Sequence, residues 1–408
     1  MNIAVAQSGG PTCAINASLL GVIKQALKYP QIKTIYGSVN GIEGIINNHL
    51  VDLKNAIRTN EDMELLRQTP STVLGSCRYK LPEPKADPAV YEKILQCFIQ
   101  RGIKMFFYIG GNDSMDTVHK LSLYCKEHLV DVKIIGIPKT IDNDLMETDH
   151  TPGFGSAAKY VATSIQEIVR DSSVYSVQSV TIIEVMGRSA GWLAASSCTL
   201  RVNGETAPHL IYLPEATFCL KNFLTDVKKM LGRYKAVIVV VSEGVEVDEI
   251  DGGDYRSGKV DNFGHQYLSG VGKVLENKVR EEFGCKVRSI ELNVMQRCSS
   301  HISSRTDIDE AEAIGAEAVR YAVTGGESGK MMRFHRTLDM PYTVIIEPVD
   351  AALVANRERF FPTKWINPEQ NNVLDAALPY FLPLIQGEQV IQIRNGLPIH
   401  YKVGNILD

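Results

Sequence analysis

The chain has no apolar run near the ~18–20 residues of a membrane span, so a helical membrane protein is not expected. It has no excess of basic charge: 43 Lys and Arg against 47 Asp and Glu give a formal charge of −4. That argues against a nucleic-acid binder built on a basic face, and leaves room for a local basic pocket. It has no Cys-x-x-Cys pair and no Cys/His cluster at zinc spacing; its eight cysteines are scattered. A reduced, cytoplasmic protein is the simplest expectation. The opening Met1-Asn2-Ile3-Ala4-Val5-Ala6-Gln7 lacks the basic region of a signal peptide and reads as a first strand. No short-period repeat and no low-complexity linker breaks the 408 residues, a length that suits two medium domains.

What the chain does have is alternation. Short β-rich apolar runs at 3–7, 34–38, 105–109, 133–137, 180–185, 210–213, 236–241 and 288–292 read as strands. Helical patterns fall between or after them, at 14–28, 114–127, 156–170, 221–234, 266–283 and 309–323. This order predicts βαβ units, hence an α/β fold with mostly parallel sheets and helices on both faces. Residues 82–87 and the Gly- and Asp-rich 248–263 read as loops, 324–330 as a helix stop and loop. The tail after Pro362 carries its own apolar segments and is expected to fold onto the body.

Four polar clusters follow candidate strands, the edge where open α/β sheets bind ligands. The densest is Pro138-Lys139-Thr140-Ile141-Asp142-Asn143-Asp144. Its carboxylates can divide the work of base and metal ligand, and its lysine is a compact cation for phosphate oxygens. The plain alternative is a loop of Asx-turns, which leaves most of its functional groups unused. Ser8-Gly9-Gly10-Pro11-Thr12 precedes a helix, where a close backbone and a helix N-terminus favour an anion; it lacks the Gly-Lys-Ser/Thr of a Walker A loop. Gly110-Gly111-Asn112-Asp113-Ser114 is similar. Helix capping by Asp113 or Ser114 would explain one polar residue, and a phosphate or metal-phosphate site uses all of them. In Met186-Gly187-Arg188, the glycine permits close approach and the arginine suits a phosphate or carboxylate. Gly153-Phe154-Gly155-Ser156-Ala157-Ala158 mimics a dinucleotide fingerprint, but no strand precedes it.

Taken in order, these clusters resemble the A-type 6-phosphofructokinase family, and the likeness runs from the first glycine loop to at least the helix near Thr306. The resemblance implies two intertwined Rossmann-like three-layer domains with the active site in the cleft between them. One would comprise 1–153 with about 296–365 and bind the donor phosphates; the other, 154–295, would bind the sugar phosphate; 366–408 would be a C-terminal extension. It implies phosphoryl transfer to the 1-hydroxyl of fructose 6-phosphate, with Mg²⁺. Asp142 would be the base, with Thr140 and Asp144 completing the reaction centre. Gly10, Gly111, Ser114 and Arg78 would lie at the donor. Thr140, Met186, Gly187, Arg188, Glu243, Arg288 and Arg297 would hold the acceptor. Family members usually assemble as homodimers or homotetramers.

ATP-dependent members resemble Gly-Gly-Asp-Gly-Ser and Pro-Gly-Thr-Ile-Asp-Asn-Asp. This chain has Asp113 and Lys139 in place of the two glycines, as in the pyrophosphate-dependent branch. A carboxylate at 113 would repel the α-phosphate of ATP. A lysine at 139 stabilises the transferring phosphate without adenosine binding energy. The expected reaction is pyrophosphate plus fructose 6-phosphate giving phosphate plus fructose 1,6-bisphosphate, reversibly. The rivals are an ATP-dependent phosphofructokinase and a non-catalytic sugar-phosphate sensor. Three positions depart from the family. Asn112 replaces a metal-linked aspartate, leaving Asn112, Asp113, Asp116 and Asp144 as candidate metal groups. Val294 replaces a histidine, and Ser179 an arginine that reaches across a subunit interface. Lys80 and Arg305 are candidates to compensate, and sedoheptulose 7-phosphate is a second candidate acceptor.

Overall fold

The structure, a computed structural model, describes residues 1–247 and 270–402. The loop expected at 248–263 and the start of the helix expected at 266 lie outside them. No helix among the described residues is long and apolar enough to cross a membrane.

The first sheet contains β1 (Asn2–Gln7), β2 (Ile35–Ser38), β3 (Leu50–Asp52), β4 (Ile103–Gly110), β5 (Lys133–Pro138), β10 (Lys330–Asp339) and β11 (Tyr342–Asp350), in the order β11-β10-β5-β4-β1-β2-β3. The second contains β6 (Ser179–Val185), β7 (Leu210–Tyr212), β8 (Ala236–Ser242) and β9 (Lys286–Glu291), in the order β7-β8-β6-β9. All pairings in the second sheet are parallel. In the first, only the outer pairs β2/β3 and β10/β11 are antiparallel. The longer helices are α1 (Ile15–Leu27), α2 (Pro88–Gln100), α3 (Asn112–Glu127), α4 (Phe154–Ser173), α5 (Leu220–Leu231), α6 (Val271–Phe283) and α7 (Arg305–Val323). The fold is α/β with mostly parallel sheets. Strands such as β4 and β8 are nearly continuous apolar runs because helices bury both faces.

Register decides where the polar clusters meet. Gln7 pairs with Ile109, and Gly110 with Pro138, so β1, β4 and β5 end side by side. In the second sheet Val185 pairs with Ser242, and Glu184 with Glu291, so β6, β8 and β9 do the same. In each sheet the chain turns opposite ways from one strand: from β1 to β2 and β4, and from β6 to β8 and β9. A crevice opens at such a switch point.

The two ends of the chain are bound together. Helices α1 and α7 cross through Gly21 and Gly315. A Cβ on Gly21 would lie 2.0 Å from the Glu312 carbonyl oxygen, and one on Gly315 2.1 Å from that of Ser18. Phe361, with Tyr380 and Phe381 from the tail, packs with Phe154 and Trp192 in one buried cluster. Tyr401 returns to the first core, its hydroxyl donating to Ala56 O at 2.7 Å.

Sequence reading missed α2, β3 and the β10/β11 hairpin. The hairpin forms the sheet edge, and its exposed side carries Arg and His residues that break up the apolar pattern. In β11 partly buried and exposed residues largely alternate, as one-sided burial requires.

Candidate active site

The loops that end β1, β4 and β5 face those that end β6, β8 and β9 across a cavity of about 750 Å³. Gly10, Arg78, Gly111, Asn112, Asp113, Ser114, Lys139, Thr140, Asp142 and Asp144 line it from the first sheet. Met186, Arg188, Glu243 and Arg297 line it from the second sheet's side. Gly187 lies behind this wall. Its φ of +147° and the Ala190 carbonyl oxygen, 2.5 Å from where a Cβ would be, leave room only for glycine.

Arg288 lies elsewhere. It is on β9, half exposed, paired with Asp171 at 3.3 Å, and does not line this chain's cavity. The strand carries it away from the end where Arg297 turns in. Of the two candidate compensating cations, Lys80 lines the cavity, with its Nζ 3.8 Å from Asp113. Arg305 pairs with Asp309 on its own helix and does not. Asp116 is buried against Lys120 and Asn356 rather than at the cavity wall.

Lys139 is almost fully buried, and its Nζ donates to the Gly10 carbonyl at 2.8 Å. This ties the loop after β5 to the glycine loop after β1. Burial lowers its pKa to about 8, against the opposing pull of Asp142 and Asp144. Burial also raises Asp142, partly offset by Arg188, Lys139 and Arg297. Asp144 rises to about 7, first through burial and then through repulsion by Asp142 and Glu358. Raised by burial, Asp142 is a stronger proton acceptor than an ordinary carboxylate. The backbone N–H of Asp142 donates to Thr140 Oγ1 at 3.1 Å, which orders the turn.

Helix α3 begins directly behind Gly111 and has no side-chain cap. Its first turn, facing the cavity, is the type of site that attracts an anion. Capping by Asp113 or Ser114 therefore does not explain their presence. Across the cavity, Glu243 Oε1 accepts from the backbone N–H groups of Gly187 and Arg188 at 3.2 and 3.1 Å. Burial lifts its pKa to about 7 despite these bonds. Arg297 Nε is buried with no hydrogen-bond acceptor among the described residues, as expected of a group that meets a ligand.

The lining also includes Asn293, Val294, Asn356, Glu358 and Phe360. Asn356, Glu358 and Phe360 were missed, because nothing local marks a tail segment as part of a site. Cations and acids balance around the cavity: Arg78, Lys80, Lys139, Arg188 and Arg297 face Asp113, Asp142, Asp144, Glu243 and Glu358. No three His, Cys, Asp or Glu side chains converge as a ready-made metal cluster among the described residues.

Known proteins share both sequence and architecture. The family model described as phosphofructokinase matches residues 2–322. The protein named pyrophosphate--fructose 6-phosphate 1-phosphotransferase from Halomonas elongata is 37% identical, over 97% of this chain and 94% of its own. One from Alkalicoccus urumqiensis, named sulfofructose kinase, is 35% identical over 90% of this chain and 92% of its own. The crystal structure of pyrophosphate-dependent phosphofructokinase from Marinobacter aquaeolei superposes with a TM-score of 0.87 at 36% identity, covering 99% of this chain and 96% of that one. With its glycine loops, paired carboxylates and facing arginines in one crevice, this chain belongs to the phosphofructokinase family.

Proposed function

We propose that the chain transfers a phosphoryl group from pyrophosphate to the 1-hydroxyl of fructose 6-phosphate, giving phosphate and fructose 1,6-bisphosphate. The observation that carries the choice of donor is the placement of Lys139 and Asp113. The lysine is anchored under the Gly10 loop, and the carboxylate stands at the uncapped start of α3. Asp113 fills with negative charge the place a nucleotide's further phosphate would take. Lys139 supplies the positive charge that the bare donor needs.

In this reading Asp142 takes the proton of the acceptor hydroxyl as its oxygen bonds to the donor's phosphorus. The bridging P–O bond breaks, and the departing phosphate keeps that electron pair. Lys139, Arg78 and Ser114 hold the donor oxygens, while Gly10 and Gly111 let them approach the backbone. Arg188 and Arg297, with Met186 and the Gly187 turn, hold the acceptor, and Glu243 fixes that turn while facing the sugar. Thr140 orders the Asp142 turn. Phosphoryl transfer depends on this alignment and charge neutralisation rather than on covalent catalysis. The donor and product bonds are close enough in energy for the reaction to run both ways.

Mg²⁺ fits the site. Fixed charges that balance cannot neutralise two polyanionic substrates, so further positive charge must enter with them. Asp113, Asp144 and the Asn112 carbonyl oxygen would hold it, the remaining ligands being water and substrate oxygens, as Mg²⁺ prefers. When bound it neutralises charge on the phosphate oxygens. The eight unpaired cysteines support a reducing, cytoplasmic setting. Exposed Leu338, Met340 and Ile345 on the β10/β11 hairpin support a homodimer or homotetramer.

The acceptor has a competitor. Val294, half exposed at the cavity, contributes neither charge nor hydrogen bond there, and a sulfonate needs less positive charge than a phosphate. Initial rates with pyrophosphate or ATP, each against fructose 6-phosphate, sedoheptulose 7-phosphate and sulfofructose, test both ends of the site. Turnover with pyrophosphate and fructose 6-phosphate is expected to lead. Efficient turnover with ATP and none with pyrophosphate would sink the donor assignment, and preference for sulfofructose would replace the acceptor.

A further inference from the structure

Among the residues beyond the family-matched stretch, Arg359 grips the backbone of the loop that carries the central carboxylates. The guanidinium of Arg359 donates to the carbonyl oxygens of Asn143 at 2.8 Å, Thr148 at 2.7 Å and Asp149 at 2.5 Å. Its backbone N–H donates to Asp144 O at 2.7 Å. The guanidinium lies 4.5 Å from the centre of the Trp192 ring, and Trp192 Nε1 donates back to Arg359 O at 3.1 Å. The plane of the arginine is thereby fixed on one side by an aromatic face and on its edge by the loop.

The loop it grips needs holding. Asn143 sits between Asp142 and Asp144, fully buried, with φ of +56°, a conformation that non-glycine residues seldom adopt. Its backbone carbonyl has the Arg359 fork as partner, and its side-chain Nδ2 donates to the Tyr380 hydroxyl at 2.7 Å. That hydroxyl donates in turn to Asp149 O at 2.6 Å. Two tail residues therefore occupy the polar groups of the strained turn and close the loop into a ring. Lysine cannot replace the fork, because its single ammonium cannot span carbonyls spread from Asn143 to Asp149.

We propose that Arg359 is a positioning residue, which with Tyr380 fixes the Asn143–Asp149 loop so that the flanking carboxylates Asp142 and Asp144 are aimed at the transferring phosphoryl group. This rests on the phosphotransferase reading above. Loss of the fork misplaces the carboxylates without touching Arg78, Arg188 and Arg297, the arginines assigned to the two substrates, so it acts mainly on kcat. A misplacement of about 1 Å is enough for a loss on the order of 10²-fold.

The test compares Arg359→Ala, Arg359→Lys and Tyr380→Phe with the unaltered chain, by steady-state kinetics and by amide hydrogen exchange of the loop. Arg201→Met serves as control, since Arg201 also tethers the tail, donating to Val373 O at 2.6 Å, but does not contact the loop. Expected are a kcat loss of about 10²-fold in Arg359→Ala, a smaller one in Arg359→Lys, and about tenfold in Tyr380→Phe. KM for both substrates should stay within about twofold, loop amides should exchange faster, and Arg201→Met should leave kcat unchanged. If Arg359→Ala does not fold, Tyr380→Phe carries the test, because it removes a single hydroxyl. The proposal is overturned if loop exchange is unchanged, if the effect falls on KM, or if Arg201→Met loses as much kcat. An unaltered chain inactive on pyrophosphate and fructose 6-phosphate would overturn the reaction instead, and loop exchange would still decide the role of Arg359.

Discussion

Lys139 is an expensive group to keep charged in the cavity. Its depression to about 8 corresponds to roughly 3 kcal/mol against the charged form in the folded chain. In the unfolded chain the lysine keeps its ordinary pKa, so at neutral pH this energy is a stability cost, and it is relieved as pH rises above about 8. Lys139→Met removes the cost and also the charged hydrogen bond to Gly10, which offsets part of the gain. The expected net effect is a stability increase of about 1–2 kcal/mol by urea unfolding. Turnover with pyrophosphate should fall by about 10²-fold or more, as for loss of a transition-state donor. An unchanged or lowered stability would mean that the bond to Gly10 outweighs desolvation. The same groups set the pH dependence. Asp144 rises to about 7 and must be ionised, so activity declines below that; Lys139 loses its charge above about 8. A narrow bell of kcat/KM, which reports the groups of the free enzyme, is expected between these limbs from rates at limiting substrate across pH, and a flat profile from pH 6 to 9 would contradict it.

The loops that carry these groups are only as precise as the elements beneath them. Helix α1 starts behind the Gly10 loop, and its position depends on its crossing with α7. Alanine at position 21 would favour an isolated helix by about 1 kcal/mol. Here the added methyl would lie 2.0 Å from a carbonyl oxygen of the partner helix, a contact that backbone must move to relieve. The steric term wins: Gly21→Ala should lose about 1–3 kcal/mol in thermal or urea unfolding, and a stabilised variant would show that the crossing is looser than described. The elements themselves were readily legible. The eight strands read from apolar runs recur within about two residues, because most of them are buried on both faces and need little beyond their own composition; β9 is only partly buried. The edge hairpin was not legible, since half of its residues face solvent and its pattern is diluted by charge.

Across the whole molecule, the tail acts as a strap. Residues 356–361 run along the cavity rim, with Asn112 Nδ2 donating to Arg357 O at 2.6 Å on one side and Glu358 accepting from Ser189 Oγ at 2.6 Å on the other. Beyond them Phe361, Tyr380 and Phe381 cover Trp192 and Phe154, both at most 2% exposed. Truncation after Val354 would uncover this aromatic cluster as well as remove Arg359. Such a chain is expected to be recovered mainly as aggregate or as a species that binds a hydrophobic dye; a soluble, active truncation would show that the strap is dispensable.

The amino-acid sequence by itself determined the parallel α/β plan, the glycine turns and the chemical groups at each strand end. It also carries Asp113 together with Lys139, the pair on which the proposed choice of pyrophosphate over ATP rests. All of these are written in short contiguous stretches, where residue type and local conformation are directly linked. Only the tertiary structure decided that Arg297 turns into the cavity while Arg288 points away on β9. Only it decided that Asn356, Glu358 and Arg359 join residues more than two hundred positions earlier. Those contacts arise from how the returning chain packs, and buried backbone carbonyls such as that of Asn143 take whichever donor the fold brings to them.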